Sequence, residues 1–111
     1  MSKNYMIAIL KKEASKPVVI KISKNLKSIE KIIGNELEVK EYENVLLIFN
    51  KNQKDETLKE NTIFDDIKVR GNVMIVGNIK STGDIRSLNK RELLHYSQKM
   101  DIRNNELEKE L

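Results

Sequence analysis

The chain has 111 residues, a net charge of +4 and no cysteine. That length holds one hydrophobic core and not two. The missing thiols exclude a disulfide framework, a thiolate nucleophile and a cysteine-based zinc site. The N-terminal apolar run, Tyr5 to Leu10, is too short for a signal peptide core or a membrane span, so a soluble cytoplasmic protein with no membrane contact is expected.

Tyr5 to Leu10 is apolar on both faces, which suits a covered internal strand. Pro17 cannot donate to a ladder and opens the next strand, Pro17 to Ile22, paired with the first as a hairpin. Leu26, Ile29, Ile32 and Ile33 then recur at helical spacing, with Ser23 or Asn25 as the N-cap. Gly34 ends that helix, where positive backbone angles carry no Cβ penalty. Leu37 and Val39 alternate with Glu36, Glu38 and Lys40 and predict a strand with one buried face. Val45 to Asn50 follows across Glu43-Asn44 and is expected to be the central strand.

Residues 51–60 read as a polar loop. Asn61 to Val69 is expected to be a short helical turn or an irregular segment over one sheet edge. Gly71 to Gly77 is a buried strand, and Asn78 to Arg86 a polar connection with a turn at Ser81 to Asp84. Asn89 with Glu92 forms a capping box, after which Leu93, Tyr96 and Met100 share a helix face. The expected fold is α+β: a single ββαβββα domain over residues 1–100, one mainly antiparallel sheet, two helices packed on one face of it. Residues 101–111 form a helical extension or a frayed tail.

With these elements in order, the chain resembles a family of small domains, domain of unknown function 3846. Ile33-Gly34-Asn35-Glu36-Leu37-Glu38 is similar to its helix-ending signature, with Gly34, Leu37 and Glu38 matching and Asn35 replacing a second glycine. Asn50 and Asn61 fall where the family has asparagines. Gly71, Val73, Ile75, Val76 and Gly77 match its glycine-led strand, and Ser87-Leu88 opens the last helix. Lys51 to Asp55 lacks the usual Glu-x-Gly. The resemblance covers about residues 5–100. It implies a fold and a phage or mobile-element origin, with the host cytoplasm as location, more than it implies a chemistry.

Candidate chemistry is sparse. His95 is the single histidine, with Ser97 two residues away on a different helix face, so no nucleophile–base pair forms along the helix. Asp65-Asp66 with Asp55 or Glu56 lack calcium-loop spacing. Gly71-Asn72 and Gly77-Asn78 lack a phosphate-loop continuation. No enzyme activity, cofactor or metal is expected.

Charge is blocky. Residues 1–35 hold eight lysines against two glutamates, residues 36–66 four bases against nine acids, and residues 67–100 seven bases against two acids. The acidic block offers Glu36, Glu38, Glu41, Glu43, Asp55, Glu56, Asp65 and Asp66 to a basic partner. The expected function is therefore a non-catalytic accessory protein, monomeric or homodimeric. It would bind a host protein or protein–nucleic-acid complex, for instance to inhibit a CRISPR or restriction-type defence. The alternative is an auxiliary nucleic-acid binder that contacts phosphates through Lys11, Lys12, Lys16, Lys68, Arg70, Arg86, Lys90 and Arg91.

Overall fold

The structure, a computed structural model, describes residues 4–64 and 67–110. Its elements are β1 (Tyr5–Lys11), β2 (Val18–Ser23), α1 (Leu26–Ile33), β3 (Leu37–Tyr42) and β4 (Val45–Asn50). They continue with β5 (Glu60–Phe64), β6 (Ile67–Arg70), β7 (Val73–Ile79), β8 (Asp84–Arg86) and α2 (Lys90–Glu110). The main sheet runs β2-β1-β7-β4-β3, and every strand pair is antiparallel. β5 and β6 form a second, two-stranded sheet. The α+β class with a mainly antiparallel sheet is what the sequence predicts.

Side chains alternate across the pleat, so each interior strand feeds two cores. Met6, Ala8, Leu10, Leu46, Ile48, Met74 and Val76 face α1, which seals them with Ile29 and Ile33. Ile9, Val45, Leu47, Phe49, Val73 and Ile75 face the other way, under α2 and the β5–β6 hairpin, which add Ile63, Phe64, Ile67, Tyr96 and Met100. The helices thus lie on opposite faces, not on one face as expected. Strands that are apolar on both sides need cover on both sides.

Both helices begin at sequence-legible caps. The Asn25 side chain accepts from the Ser28 N–H at 2.9 Å. Asn89 and Glu92 exchange reciprocal side-chain-to-backbone bonds of 3.0 and 2.8 Å, the predicted capping box. In α1, Ile29 and Ile33 are buried, each worth about 1.5–3 kcal/mol against exposure. Leu26, expected in the same stripe, is 61% exposed because it stands at the first helical position, outside the seal.

Four further expectations are corrected. Within Asn61 to Val69, the described residues 61–64 and 67–69 are neither helical nor irregular but lie in the paired strands β5 and β6. A register shift between Thr62 and Phe64 lets the consecutive Ile63 and Phe64 both be buried, which disguises the strand period. The polar connection after β7 contains β8, which pairs with β7 across a turn at Gly83, φ 74°. The middle strand is β7, with β4 one place nearer the edge. Val39 is 49% exposed, since β3 is the outermost strand and α1 does not reach over it.

β1 changes partner along its length. Ile9 to Lys11 pair with β7. Lower down, β8 takes β1's place beside β7, and Ile7 instead bonds to the chain after β8. Its N–H donates to Ser87 Oγ at 2.9 Å and its carbonyl accepts from the Leu88 N–H at 2.9 Å.

Candidate functional site

The main sheet has two outer strands, β2 and β3, and among the described residues nothing pairs with their outer edges. β3 carries the acidic candidates. Its register with β4 sets Glu38 opposite Phe49 and Glu41 opposite Leu46, so the two carboxylates leave the edge toward opposite faces. Both are exposed, as are Glu36 before the strand and Glu43 after it. Between Glu36 and Glu43 stand four glutamates and one lysine, Lys40.

Glu43 has a second role. It occupies the β3–β4 turn with φ 54°, a left-handed conformation costing a non-glycine residue about 1–2 kcal/mol. Its carboxylate accepts the hydroxyl of buried Tyr96 at 2.5 Å, a short charge-assisted bond that offsets the strain. Burial first, then the Glu43 carboxylate, push the Tyr96 hydroxyl well above its ordinary pKa. Glu43, Asn44, Arg91, Glu92, His95 and Tyr96 line a cleft of about 230 Å³, smaller than the ~300–1,000 Å³ of ordinary ligand pockets. His95 stands edge-on to Tyr96, ring centroids 4.7 Å apart. Glu92, which could orient it, is engaged by the Arg86 guanidinium at 2.8 and 2.9 Å. That pair holds the Glu92 carboxyl below the usual range and raises Arg86.

Asp55 and Glu56 lie in the connection between β4 and β5 and not on β3. Asp55 is spent on a local turn, accepting the Thr57 N–H and hydroxyl at 3.0 and 2.6 Å, and the Thr57 bonds lower its pKa. Glu56 is exposed beside it. Asp65 and Asp66 lie outside the described residues. Among the described residues no three acidic or histidine side chains are grouped to hold a metal ion.

The basic candidates separate. Lys11 is a correction: at 5% exposure it cannot reach a phosphate. Its ammonium donates to the Ser15 carbonyl at 2.8 Å and to Asn61 Oδ1 at 3.0 Å, and burial lowers its pKa. Asn61 returns two bonds, from Nδ2 to the Lys11 and Gly71 carbonyls at 3.0 and 2.9 Å. Arg86 is consumed by Glu92. Arg70 is half-buried and points Nη1 at the Asp55 carbonyl, 3.5 Å away. Lys12 and Lys16 sit in the β1–β2 loop, Lys68 on β6, and Lys90 and Arg91 at the start of α2; all five are exposed.

The residues that suggested a family turn out to be architectural. Asn50 Nδ2 approaches the Ile33 carbonyl at 3.5 Å, capping the end of α1, and its Oδ1 accepts from the Asn52 N–H at 2.8 Å. A Cβ at Gly34, where φ is 136°, would stand 2.6 Å from that Asn50 nitrogen. Asn72 and Gln53, which sequence reasoning missed, do similar work. Asn72 Nδ2 donates to the Ile32 carbonyl at 3.2 Å. Gln53 bridges the Asn50 and Arg70 backbones with three bonds. The two asparagines satisfy carbonyls at the end of α1, and Gln53 supplies partners that the ends of β4 and β6 lack. Gly77 has another reason: the Arg86 side chain lies across it, and a Cβ there would stand 2.3 Å from Nη1.

No helix among the described residues is long and apolar enough to cross a membrane. No curated protein and no solved structure matches the chain. A family model does match, over residues 6–101 and therefore over β1 to the buried turns of α2, and the chain belongs to that family, described as Domain of unknown function (DUF3846).

Proposed function

We propose that this chain is a non-catalytic protein-binding domain that meets a basic partner through the outer edge of β3. One observation carries the reading: an unpaired outer strand with Glu36, Glu38, Glu41 and Glu43 exposed along and beside it. Four carboxylates in eight residues make a local negative field that speeds encounter with a basic surface and disfavours acidic ones. The open backbone edge adds main-chain hydrogen bonds to that attraction. A nucleic-acid-binding host protein or complex fits this chemistry, because its basic surface accepts carboxylates where it accepts phosphates. A phage or mobile-element accessory acting in the host cytoplasm on a defence complex of CRISPR or restriction type is the specific form of the proposal. Its support is the family resemblance and this acidic edge.

The auxiliary nucleic-acid reading is the weaker one, since Lys11 is buried and Arg86 is paired. Affinity capture from host lysate, with the unaltered chain and a Glu38→Lys/Glu41→Lys variant, tests the proposal. The expected result is a stoichiometric protein partner that dissociates as salt rises and is lost by the variant. Retention by the charge-reversed chain, or no partner at any salt, refutes it.

A further inference from the structure

The opposite edge of the sheet has a different chemistry. β2 exposes Val18 (50%) and Val19 (54%), and Tyr5 on neighbouring β1 is 56% exposed. Pairing of Val19 with Ile9 and of Lys21 with Ile7 places Val19 and Lys21 on the α2 side of the sheet. There Val19 faces Lys90, Leu93, Leu94 and Ser97 of α2 across an apolar groove of about 310 Å³. Leu94 is itself 60% exposed. Natural edge strands are blunted by charge, proline or cover; this one has only Pro17 at its start and Lys21 within it.

The charges that face the groove are positive. Lys90 lines it, Lys21 stands on the same face of β2, and among the described residues no carboxylate lines it. Lys24 has Asp84 at 3.9 Å, which leaves Lys21, over the Tyr5 ring, and Lys90 facing outward.

We propose that the β2 edge takes up an extended segment of a partner protein in which an aliphatic residue is followed two positions along by an acidic one, so that both lie on the α2 side of the sheet. The segment adds one strand beside β2. A residue opposite Val19 puts an aliphatic side chain into the groove against Leu94. The next residue on the same face, about 6.8 Å along, sets a carboxylate beside Lys21 and Lys90. A second copy of this chain does not fit. Its β3 edge carries Glu38, Lys40 and Tyr42 on the α2 side, while its aliphatic Leu37 and Val39 lie on the other face; its β2 edge would bring Lys21 and Lys90 against lysines of the same sign. A copy continuing the sheet in register would place a charge in the groove.

The test uses the whole chain and three probes: an eight-residue peptide whose one face alternates valine and glutamate, with threonine at every second position, its counterpart with lysine in place of glutamate, and a single-stranded oligothymidylate. Amide NMR shifts and hydrogen-exchange protection locate the binding. The valine–glutamate peptide is expected to shift and protect Val18 to Ser23 and to shift Leu93 and Leu94. Lys21→Glu should weaken it about tenfold. Val19→Asp and, from a different element, Leu94→Asp should each abolish it; both positions are more than half exposed, so neither change threatens the fold. Glu38→Lys/Glu41→Lys should leave it intact, which separates this site from the β3 edge. The proposal is overturned if the peptide fails to bind or shifts β3 instead. It is equally overturned if the valine–lysine peptide binds as well, if the oligothymidylate alone perturbs these residues, or if the edge is already occupied by self-association.

Discussion

Replacing Gly77 with alanine should cost far more than its single methyl group suggests. Gly77 is not at a positive φ, so the backbone accepts any residue. An alanine in a strand interior is normally favoured over glycine by about 0.5–1 kcal/mol. Here the new Cβ would stand 2.7 Å from Arg86 Cγ and 2.7 Å from Cζ, so the side chain must leave the strand surface. Its departure breaks the two-pronged bond to Glu92, whose side chain is 11% exposed. Losing a charge-assisted pair and stranding a largely buried carboxylate costs about 2–3 kcal/mol. For a domain this size that lowers Tm by about 8–12 °C. A double-mutant cycle isolates the cause. In an Arg86→Ala background the obstacle is gone, and Gly77→Ala should become neutral or stabilise by about 0.5–1 kcal/mol. Urea midpoints of the four proteins give the coupling energy. Additivity within about 0.5 kcal/mol would refute the claim that Arg86 dictates the glycine.

The buried knot and the pH limbs follow the same logic. Asn61→Leu removes three hydrogen bonds and leaves the Lys11 ammonium with one acceptor, so chemical denaturation should record a loss of about 3–5 kcal/mol. Adding Lys11→Met to that variant should recover part of the loss, and a further decrease would contradict the buried-charge account. Because Arg86 depresses the Glu92 carboxyl in the folded chain, its stabilisation is fully present above the ordinary value of 4.5 and is lost as pH falls through the lower folded value. Tyr96 is raised, so its contribution is complete below 10.0 and declines as pH climbs above it. Stability measured against pH should flatten on the acid side in Glu92→Gln and on the alkaline side in Tyr96→Phe.

The strands apolar on both faces, the caps Asn25 and Asn89, and the stop at Gly34 were legible because each depends on local spacing or local backbone geometry. The hairpin at Glu60 to Arg70 was not, because its bulge sets Ile63 and Phe64 side by side and breaks the alternation a strand is recognised by. β8, three residues long, is too short to display any period. The placement of the helices could have been inferred, since Tyr5 to Leu10 and Val73 to Val76 are greasy on both sides and one layer cannot cover both.

The acidic row on β3 is visible in sequence because it is contiguous. The basic set is not separable there: Lys11 reads like any surface lysine, and only the fold reveals Asn61 waiting fifty residues away. Likewise the pairing of Arg86 with Glu92 explains Gly77 only once β8 is seen folding back over β7.

The two outer hairpins, β1–β2 and β3–β4, are each closed by short-range contacts, yet the strand that joins them comes from residues 73–79. A nascent chain leaving the ribosome therefore presents two half-sheets with bare inner margins until β7 arrives to be inserted between them. Completion waits longer still, because Ile7 finds its neighbour only when Leu88 has emerged. Topology of this kind sets a late, non-local step in assembly, and the window before it is when this protein is most exposed to misjoining with its own copies.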